Sequence, residues 1–288
     1  MRVLITGRHG QVSRELQITL SQYELLVLGH EQLDMADSEA IRRQVRELRP
    51  DLIINAAAHT AVDQAESEPE LAFAINATAP GVLAEEAATL GVPLIHYSTD
   101  YVFDGHKDGA YSEDDGTAPL GVYGRSKLAG EDAIRAVGGQ YLILRTSWVY
   151  SLYGKNFLLT MQRLLQEREE LRVVADQIGA PTWAGSIARA TAELIEHWQN
   201  GHAGPWGTYH LSGLGETSWF GFANAIADQL RAQGKPCARL EPIPSSAYPT
   251  PAQRPLNSRL DCSSLQRAWN IRLPNWHDAL LECLHSSR

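Results

Sequence analysis

The chain has 288 residues, of which 44% are hydrophobic, and a formal net charge of −9. This composition can bury one large core, or a core and a smaller lobe, and it excludes fibrous and disordered proteins. The acidic residues are spread along the sequence and no basic stripe interrupts them, so we expect neither a nucleic-acid site nor a polybasic membrane site.

The first half of the chain alternates apolar strands with helices. The helices are predicted near 11–21, 38–49, 69–91 and 122–138, with Asp37 or Ser38 capping the second, and Ser67 and Glu70 in a capping-box arrangement at the third. The strands are short and apolar throughout, as in parallel sheets covered on both faces, and they fall at 2–6, 24–28, 51–55, 92–98 and 141–146. This alternation predicts an α/β fold built on a Rossmann-type, doubly wound parallel sheet.

The pattern becomes looser after Trp148. We predict a helix near 155–168, a strand at 171–175 and a helix near 185–198, with Gly- and Pro-rich loops beyond them. We therefore expect a nucleotide-binding domain over 1–150, to which 171–198 returns. A smaller lobe, mainly 151–288, is expected to bind the substrate.

The loop after the first strand, TGRHGQVS, has the glycine spacing of a dinucleotide turn. Gly7 and Gly10 allow the backbone to approach a pyrophosphate, and the amides of Gln11 and Val12 can receive it at the helix start. Ser13 stands where the usual pattern has a third glycine. A glycine turn at this place could also be no more than a tight loop.

Small residues follow the third and fourth strands, where a cofactor's riboses would lie. They are Ala56, Ala57, Ala58 and Thr60 after the third strand, and Ser98 in the fourth. The alternative is that the alanines only fill the core. His59 lies in the same segment but is better explained as a hydrogen-bonded structural histidine than as a catalyst.

The choice of nicotinamide cofactor depends on the end of the second strand. An acid there would bind the ribose 2′-hydroxyl and repel a 2′-phosphate, but the position is Gly29, and Arg8 can pair with a phosphate. We therefore expect NADPH to be favoured, with NADH as the alternative. Asp34 and Met35 are expected to contact the adenine.

Tyr123 and Lys127 lie four residues apart in the sequence YGRSK. On a helix this spacing places both side chains on one face, where the ammonium can lower the pKa of the phenol. Such a pair is typical of carbonyl reduction, in which the phenol acts as a general acid.

Together these motifs resemble the extended short-chain dehydrogenase/reductases, and within them the dTDP-4-dehydrorhamnose reductase family. The similarity runs nearly from end to end and is carried by NAAAHTAVDQAESEPELA (55–72), HYSTDYVFDG (96–105), YGRSKLAGE (123–131), DQIGAPT (176–182) and SAYPTPAQRPLNSRLD (246–261). The resemblance implies an oxidoreductase that uses NAD(P)H to reduce the C4 ketone of dTDP-4-dehydro-6-deoxy-L-mannose to dTDP-L-rhamnose. That reaction is the last step of dTDP-rhamnose biosynthesis.

The resemblance also implies roles for individual residues. Tyr123 is the expected proton donor to the C4 alkoxide, Lys127 binds the nicotinamide ribose, and Thr99 hydrogen-bonds at the carbonyl. Asp100 is expected to contact the sugar, and Trp148 to line its pocket. Further candidates for contacts to the substrate's pyrophosphate or nucleotide are Arg254, Arg259 and Asn156, although both arginines could be ordinary surface cations.

Some members of the family are described with Mg²⁺ at a dimer contact formed by acidic side chains. Glu15 could serve here, but Gly185 and a serine-rich C terminus stand where the other ligands are expected, so no metal is assigned. A homodimer is among the assemblies that the resemblance implies. The three cysteines do not have the spacing of metal ligands, and their odd number argues against a disulfide framework. We therefore expect a cytoplasmic protein.

Three alternatives stay open on the sequence. The chain could be a non-catalytic regulatory subunit of the methionine adenosyltransferase type, or a reductase of another dTDP-4-keto-6-deoxy sugar. It could also be a sugar-nucleotide dehydratase, but such enzymes need an Asp–Glu pair after the threonine, and this chain has Asp100 and Tyr101.

Overall fold

The fold, taken from a computed structural model that describes residues 1–286, is built on a six-stranded sheet. The strands in chain order are β1 (Arg2–Thr6), β2 (Glu24–Leu28), β3 (Leu52–Asn55), β4 (Leu94–Thr99), β5 (Tyr141–Thr146), β6 (Val149–Tyr150), β7 (Glu170–Val174), β8 (Ile178–Gly179), β9 (Thr182–Trp183), β10 (Gly207–His210), β11 (Thr217–Ser218) and β12 (Arg239–Ile243).

The helices cover both faces of the sheet and form most of a second lobe. They are α1 (Gln11–Thr19), α2 (Ser38–Leu48), α3 (Val62–Ala65), α4 (Pro69–Phe73), α5 (Ala79–Leu90), α6 (Val122–Val137), α7 (Phe157–Glu167), α8 (Ala184–Gln199), α9 (Trp219–Ala232), α10 (Ser263–Trp269) and α11 (Trp276–His285), with single turns of 3₁₀ helix at Asp100–Val102 and Ser245–Ala247.

The central sheet has the order β2-β1-β3-β4-β5-β10, and every neighbouring pair is parallel. The predicted doubly wound fold is therefore confirmed. The chain leaves β1 toward β2 and then returns to the other side at β3, so the order reverses between β1 and β3. Ligands of such sheets bind outside the carboxyl ends of the strands at this reversal.

Both faces of the sheet are buried, which explains why its strands are apolar without alternation. Val3 and Ile5 pack with Leu16 of α1 and Ile187 of α8 on one face. Leu4 points to the opposite face, in a core with residues of α2, α5 and α6. A separate core in the lobe joins α7, α9 and α11.

The helix predicted over 69–91 is present from Pro69 to Leu90, but it contains an unpredicted π-helical turn. α4 and α5 are separated by a π-helical turn at Ala74–Thr78. The predicted capping box at its start is wrong, because the helix begins one residue later than the box requires: Glu68 is the capping residue and its side chain makes no capping hydrogen bond. Asp37, in contrast, caps α2 as predicted, accepting from the amide of Ala40 at 2.9 Å.

The second half of the chain contributes to both parts of the fold. α8 packs on the sheet, and β10 extends it, whereas β7 pairs with β12 in the lobe. The division at residue 150 stays a prediction. Within residues 1–286, no helix is long and apolar enough to cross a membrane.

Candidate active site

A cleft of about 580 Å³ lies at the carboxyl ends of β1, β3 and β4, next to the reversal in strand order. It reaches from the loop after β1 to the start of α6. Of the predicted cofactor residues, those that line it are Gly7, Arg8, Gly10, Gln11, Val12, Asp34, Met35, Ala56, Ala57, Ala58, Thr60, Ser98, Tyr123 and Lys127.

The glycine turn after β1 is packed tightly against the alanine segment after β3. Gly7 has a φ of +79°, and a Cβ there would lie 2.9 Å from the Cα of Ala57 and 3.0 Å from the carbonyl oxygen of Ala56. The amide of Gly10 donates to the Gly7 carbonyl at 2.8 Å, which directs the chain into α1. The missing side chains leave a cradle at a helix start, and such a cradle fits the pyrophosphate of a dinucleotide.

An acid does stand at the end of the second strand, contrary to our expectation from the sequence. Glu31 folds back so that its carboxylate lies against Gly29, where a Cβ would overlap it. Arg8 donates to this carboxylate at 3.3 Å and to the carbonyl oxygen of Val27 at 2.5 Å. A hydrogen bond from its own backbone amide, together with the nearby His9 and Arg8, lowers the pKa of Glu31, so the carboxylate is ionised.

Tyr123 is placed by the close approach of α6 to the 3₁₀ turn that follows β4. A Cβ at Gly124 would overlap the carbonyl oxygen of Tyr101, so only glycine allows this contact. The Tyr123 ring meets the Tyr101 ring edge-on, with the centroids 5.5 Å apart.

Burial raises the pKa of the Tyr123 phenol above its usual value, with smaller contributions from the Asp100 carboxyl and Tyr101 and an opposing one from the Thr99 hydroxyl. Lys127 is not among the groups that shift this pKa in the structure, so its expected lowering effect stays a prediction. The Lys127 hydrogen bonds go to β4, where Nζ donates to the Tyr97 carbonyl at 2.7 Å and lies 3.2 Å from His96 Nε2. A phenol with a raised pKa stays protonated at neutral pH, as a proton donor must.

Lys127 is only 2% exposed. Burial lowers the pKa of its ammonium to about 8, and Glu131 one turn further along α6 opposes this. Glu131 is itself held by Arg145 at 2.7 Å and by the Ser98 hydroxyl at 2.5 Å. Lys127 therefore changes its protonation state close to physiological pH.

Thr99 and Asp100 lie close to the Tyr123 phenol. The Thr99 hydroxyl donates to one Asp100 carboxylate oxygen at 3.1 Å and accepts from the amide of Tyr101 at 3.1 Å. The other oxygen of Asp100 is buried without a hydrogen-bond partner in the described part of the chain. Burial raises the pKa of Asp100 to about 6 against the opposing effect of the nearby Ser258 and Thr99 hydroxyls. The unpaired oxygen can accept from a ligand hydroxyl.

Trp148 has an unusual backbone for a bulky residue, with a φ of +48°. Its indole stacks on Trp219 with the ring centroids 3.7 Å apart, and a Cβ at Gly179 would come within 2.7 Å of it. Strained backbone of this kind is retained where the surrounding packing imposes it, often at a ligand site. Trp148 does not line the cleft itself.

The two late arginines are already paired. Arg254 donates to Asp63 at 2.8 Å and to the Tyr101 hydroxyl at 3.2 Å, which places it beside the tyrosine pair. Arg259 donates to the side chain of Asn257 at 2.8 Å and to the Asp108 carbonyl at 2.8 Å, so it links its own segment to a loop 151 residues earlier in the chain.

The remaining two candidates have structural contacts. Asn156 caps α7 through the amide of Leu159 at 3.1 Å and donates to the Gln11 side chain at 2.8 Å, which ties the lobe to the glycine turn. His59 does not line the cleft, and the Asn76 side chain bonds its backbone on both sides, at 2.8 and 3.1 Å.

The residues around Glu15 do not fit a magnesium site within one chain. Burial raises the pKa of Glu15, and its neighbouring charge is the guanidinium of Arg189. Arg189 in turn forms an ion pair with Glu282 at 2.6 Å. Over residues 1–286 there is no group of three His, Cys, Asp or Glu side chains that could hold a metal ion.

Sequence reasoning missed three polar residues in the buried strands: Thr6 and Asn55, the last residues of β1 and β3, and His96 within β4. All three are 1% exposed and hydrogen-bonded to one another in a row that ends at Lys127. A signal was present, because each is a polar side chain near the carboxyl end of an apolar strand, where the cleft of a parallel sheet lies.

Comparison with known proteins is consistent with this geometry. The family model described as RmlD substrate binding domain matches residues 1–288. The chain is 47% identical to a dTDP-4-dehydrorhamnose reductase of Burkholderia thailandensis, over 99% of this chain and 98% of the relative. It is 46% identical to one from Escherichia coli K12, over 96% and 94%. A solved structure of a Bacillus anthracis dTDP-4-dehydrorhamnose reductase in complex with NADP matches with a TM-score of 0.90 and 36% identity, covering 98% of each chain.

Proposed function

The chain belongs to the RmlD substrate binding domain family, and from that membership and its site we infer that it reduces the C4 ketone of dTDP-4-dehydro-6-deoxy-L-mannose to give dTDP-L-rhamnose. It is an NAD(P)H-dependent oxidoreductase, a dTDP-4-dehydrorhamnose reductase that performs the last step of dTDP-rhamnose synthesis.

The observation that carries the proposal is the grouping of Tyr123 and Lys127, which line the cleft, with Thr99, which lies beside the Tyr123 phenol behind the lining. The phenol is held protonated by burial, and the Thr99 hydroxyl lies beside it. A ketone seated between them would meet two hydroxyl donors on the same oxygen once the Thr99 hydroxyl turned its proton from the Asp100 carboxyl to the ketone. Two donors aimed at a developing alkoxide are the arrangement that carbonyl reduction needs.

In the proposed mechanism, the bound dinucleotide supplies the hydride to C4. Tyr123 gives its proton to the C4 oxygen, and Thr99 hydrogen-bonds that oxygen as negative charge develops there. Lys127 holds the nicotinamide ribose. The unpaired oxygen of Asp100 accepts from a sugar hydroxyl, which fixes the ring relative to Tyr123.

The aromatic and basic residues around this centre are proposed to select the substrate. Trp148, stacked on Trp219, would cover the apolar face of the deoxysugar. Arg254, held by Asp63 beside Tyr101, is the better of the two arginines for a phosphate contact, because Arg259 is occupied in joining its segment to the loop at Asp108. The remaining proposed contacts follow the roles expected from the sequence.

We further propose that the protein works in the cytoplasm as a homodimer. The three cysteines are free in the structure, which suits a reducing compartment. Sedimentation equilibrium of the purified chain tests the dimer, and a monomer at micromolar concentration would contradict it.

The function is tested by following NADPH oxidation with a panel of dTDP-4-keto-6-deoxy sugars. We expect the L-lyxo-configured ketone to give the highest kcat/KM, with dTDP-L-rhamnose as product. A higher kcat/KM with another sugar would assign the chain to that substrate. No turnover with any sugar, together with stable association with a partner enzyme, would favour a regulatory subunit. Tyr248→Phe, at a residue 61% exposed, is a matched control for Tyr123→Phe.

A further inference from the structure

A row of buried hydrogen bonds connects Lys127 to the loop that lines the cofactor cleft. The Ala57 amide donates to the Thr6 hydroxyl at 3.2 Å, which donates to Asn55 Oδ1 at 2.7 Å. The Asn55 amide nitrogen lies 3.0 Å from His96 Nδ1, and His96 Nε2 lies 3.2 Å from Lys127 Nζ. The row crosses the ends of β1, β3 and β4 without reaching solvent.

The protons along this row are coupled to the state of Lys127. A neutral imidazole carries one N–H. When the Asn55 amide donates to Nδ1, the imidazole proton is on Nε2 and can be accepted only by an uncharged Lys127 amine. When Lys127 is an ammonium, it donates to Nε2, the proton is on Nδ1, and the Asn55 amide must turn its oxygen toward the ring. Each protonation state of Lys127 therefore matches one arrangement of the row.

His96 itself does not titrate in this range. Burial lowers its pKa well below the usual value, and the charge of Lys127 lowers it further. The charged groups that face Lys127 are on its own helix, where Glu131 is neutralised by Arg145 and Arg135. Tyr123 stays protonated, and β4 adds only His96 and the Tyr97 carbonyl. The titration near the cleft therefore belongs to Lys127.

We propose that His96 is a positioning residue of the reductase: it accepts a hydrogen bond from Lys127 and, through Asn55 and Thr6, couples the protonation of Lys127 to the cofactor loop at Ala57. Only the expected effect on turnover rests on the proposed function; the expected effect on NADPH binding does not. Cofactor affinity then depends on pH around the titration of Lys127, because the ammonium holds the dinucleotide and the loop together. As the pH rises and Lys127 loses its proton, NADPH binding weakens.

Two variants separate the two contacts of the imidazole. The amide of His96→Asn reaches the Nδ1 position, so this variant keeps the bond to Asn55 and loses the bond to Lys127. The amide of His96→Gln reaches the Nε2 position, so it keeps the acceptor for Lys127 and loses the link to Asn55. His210→Gln is the matched control, because His210 is also fully buried but bonds the Tyr111 carbonyl at 3.0 Å, away from Lys127.

The experiment measures the dissociation constant of NADPH by fluorescence from pH 6.5 to 10 (about the range in which Lys127 titrates), with kcat measured separately. Loss of a hydrogen-bond acceptor for an ammonium shifts its protonation equilibrium about tenfold toward the neutral amine. We therefore expect His96→Asn to lower the midpoint of the binding curve by about one pH unit and to lower kcat about tenfold. His96→Gln should keep the midpoint near that of the wild type and weaken NADPH binding severalfold at every pH. Midpoints that are equal in the wild type and His96→Asn, or that shift as much in His210→Gln, would overturn the proposal. Absence of turnover in all proteins would refute the proposed function but leave the binding curves as a valid test of His96.

Discussion

Arg8 is the residue on which we expect the choice between NADPH and NADH to depend. A hydrogen bond from a guanidinium to a phosphate contributes about 1.5–3 kcal/mol, which corresponds to about 10- to 150-fold in affinity. In the structure the Arg8 guanidinium already donates to Glu31 and to the Val27 carbonyl. It is therefore ordered in advance, but it has to share its charge with Glu31. We expect a preference for NADPH near the lower end of this range, about tenfold.

Arg8→Ala should make the kcat/KM values for NADPH and NADH more nearly equal. Its kcat/KM for NADPH is expected to fall about tenfold, and its kcat/KM for NADH should stay nearly unchanged. The assay is initial-rate kinetics with each cofactor at a fixed, saturating concentration of sugar. Arg43→Ala, at an exposed arginine on α2, is the control for a lost surface charge.

Glu31→Gln tests the other half of the pair. The glutamine keeps the shape of the side chain but removes the charge that both opposes a 2′-phosphate and occupies Arg8. The preference for NADPH should therefore rise severalfold. Equal losses of kcat/KM for both cofactors in Arg8→Ala would show that Arg8 supports the loop itself. A preference of the wild-type enzyme for NADH would refute the reasoning.

Three further predictions concern the buried ionisable groups. Tyr123→Phe should lower kcat by about 10²–10⁴ while the NADPH dissociation constant changes only a few-fold, and near-normal turnover would remove Tyr123 from the mechanism. The pKa of Lys127, about 8, is below that of an unfolded lysine. The unfolded chain therefore binds more protons between about pH 8 and 10.5, and the contribution of Lys127 to stability rises there by about 3 kcal/mol. Denaturant unfolding of Lys127→Met should lack this rise relative to the wild type, and parallel pH curves would contradict the assignment. His210 has a pKa lowered to about 4, mainly by burial. Stability should therefore fall by about 3 kcal/mol as the pH drops from about 6.5 to 4, and His210→Gln should show a smaller loss.

Most of the sheet could be predicted, because burial on both faces makes β1 to β5 uniformly apolar. β10 could not, since its sequence, GTYH, is short and polar and follows a Gly- and Pro-rich loop. The π-helical turn between α4 and α5 was also missed. Asn76 in this turn bonds the backbone of His59 and the hydroxyl of Ser126 at 3.0 Å. Both contacts are tertiary and leave no local pattern.

The candidate site likewise contains features that the sequence predicts and features that it does not. The Tyr123–Lys127 pair and the glycine turn follow from spacing within one helix or one loop, so the sequence contains them. The partners of Lys127, however, come from β4, 30 and 31 residues away, and the Asp63 partner of Arg254 is 191 residues away. The fold-back of Glu31 over Gly29 depends on the backbone path after β2. Charge pairing of this kind decides what each side chain is free to bind, and only the folded chain reveals it.

Transfer of deuterium from labelled cofactor tests whether the protein reduces the C4 ketone with Tyr123 as the proton donor. The enzyme is supplied with dTDP-4-dehydro-6-deoxy-L-mannose and NADPH carrying deuterium on the reactive face of its nicotinamide C4, and the product is analysed by NMR. We expect dTDP-L-rhamnose with deuterium at C4 of the sugar, formed rapidly by the wild type and at least about a hundredfold more slowly by Tyr123→Phe. Deuterium at another carbon, a product of different configuration at C4, or equal rates for the two proteins would contradict this expectation.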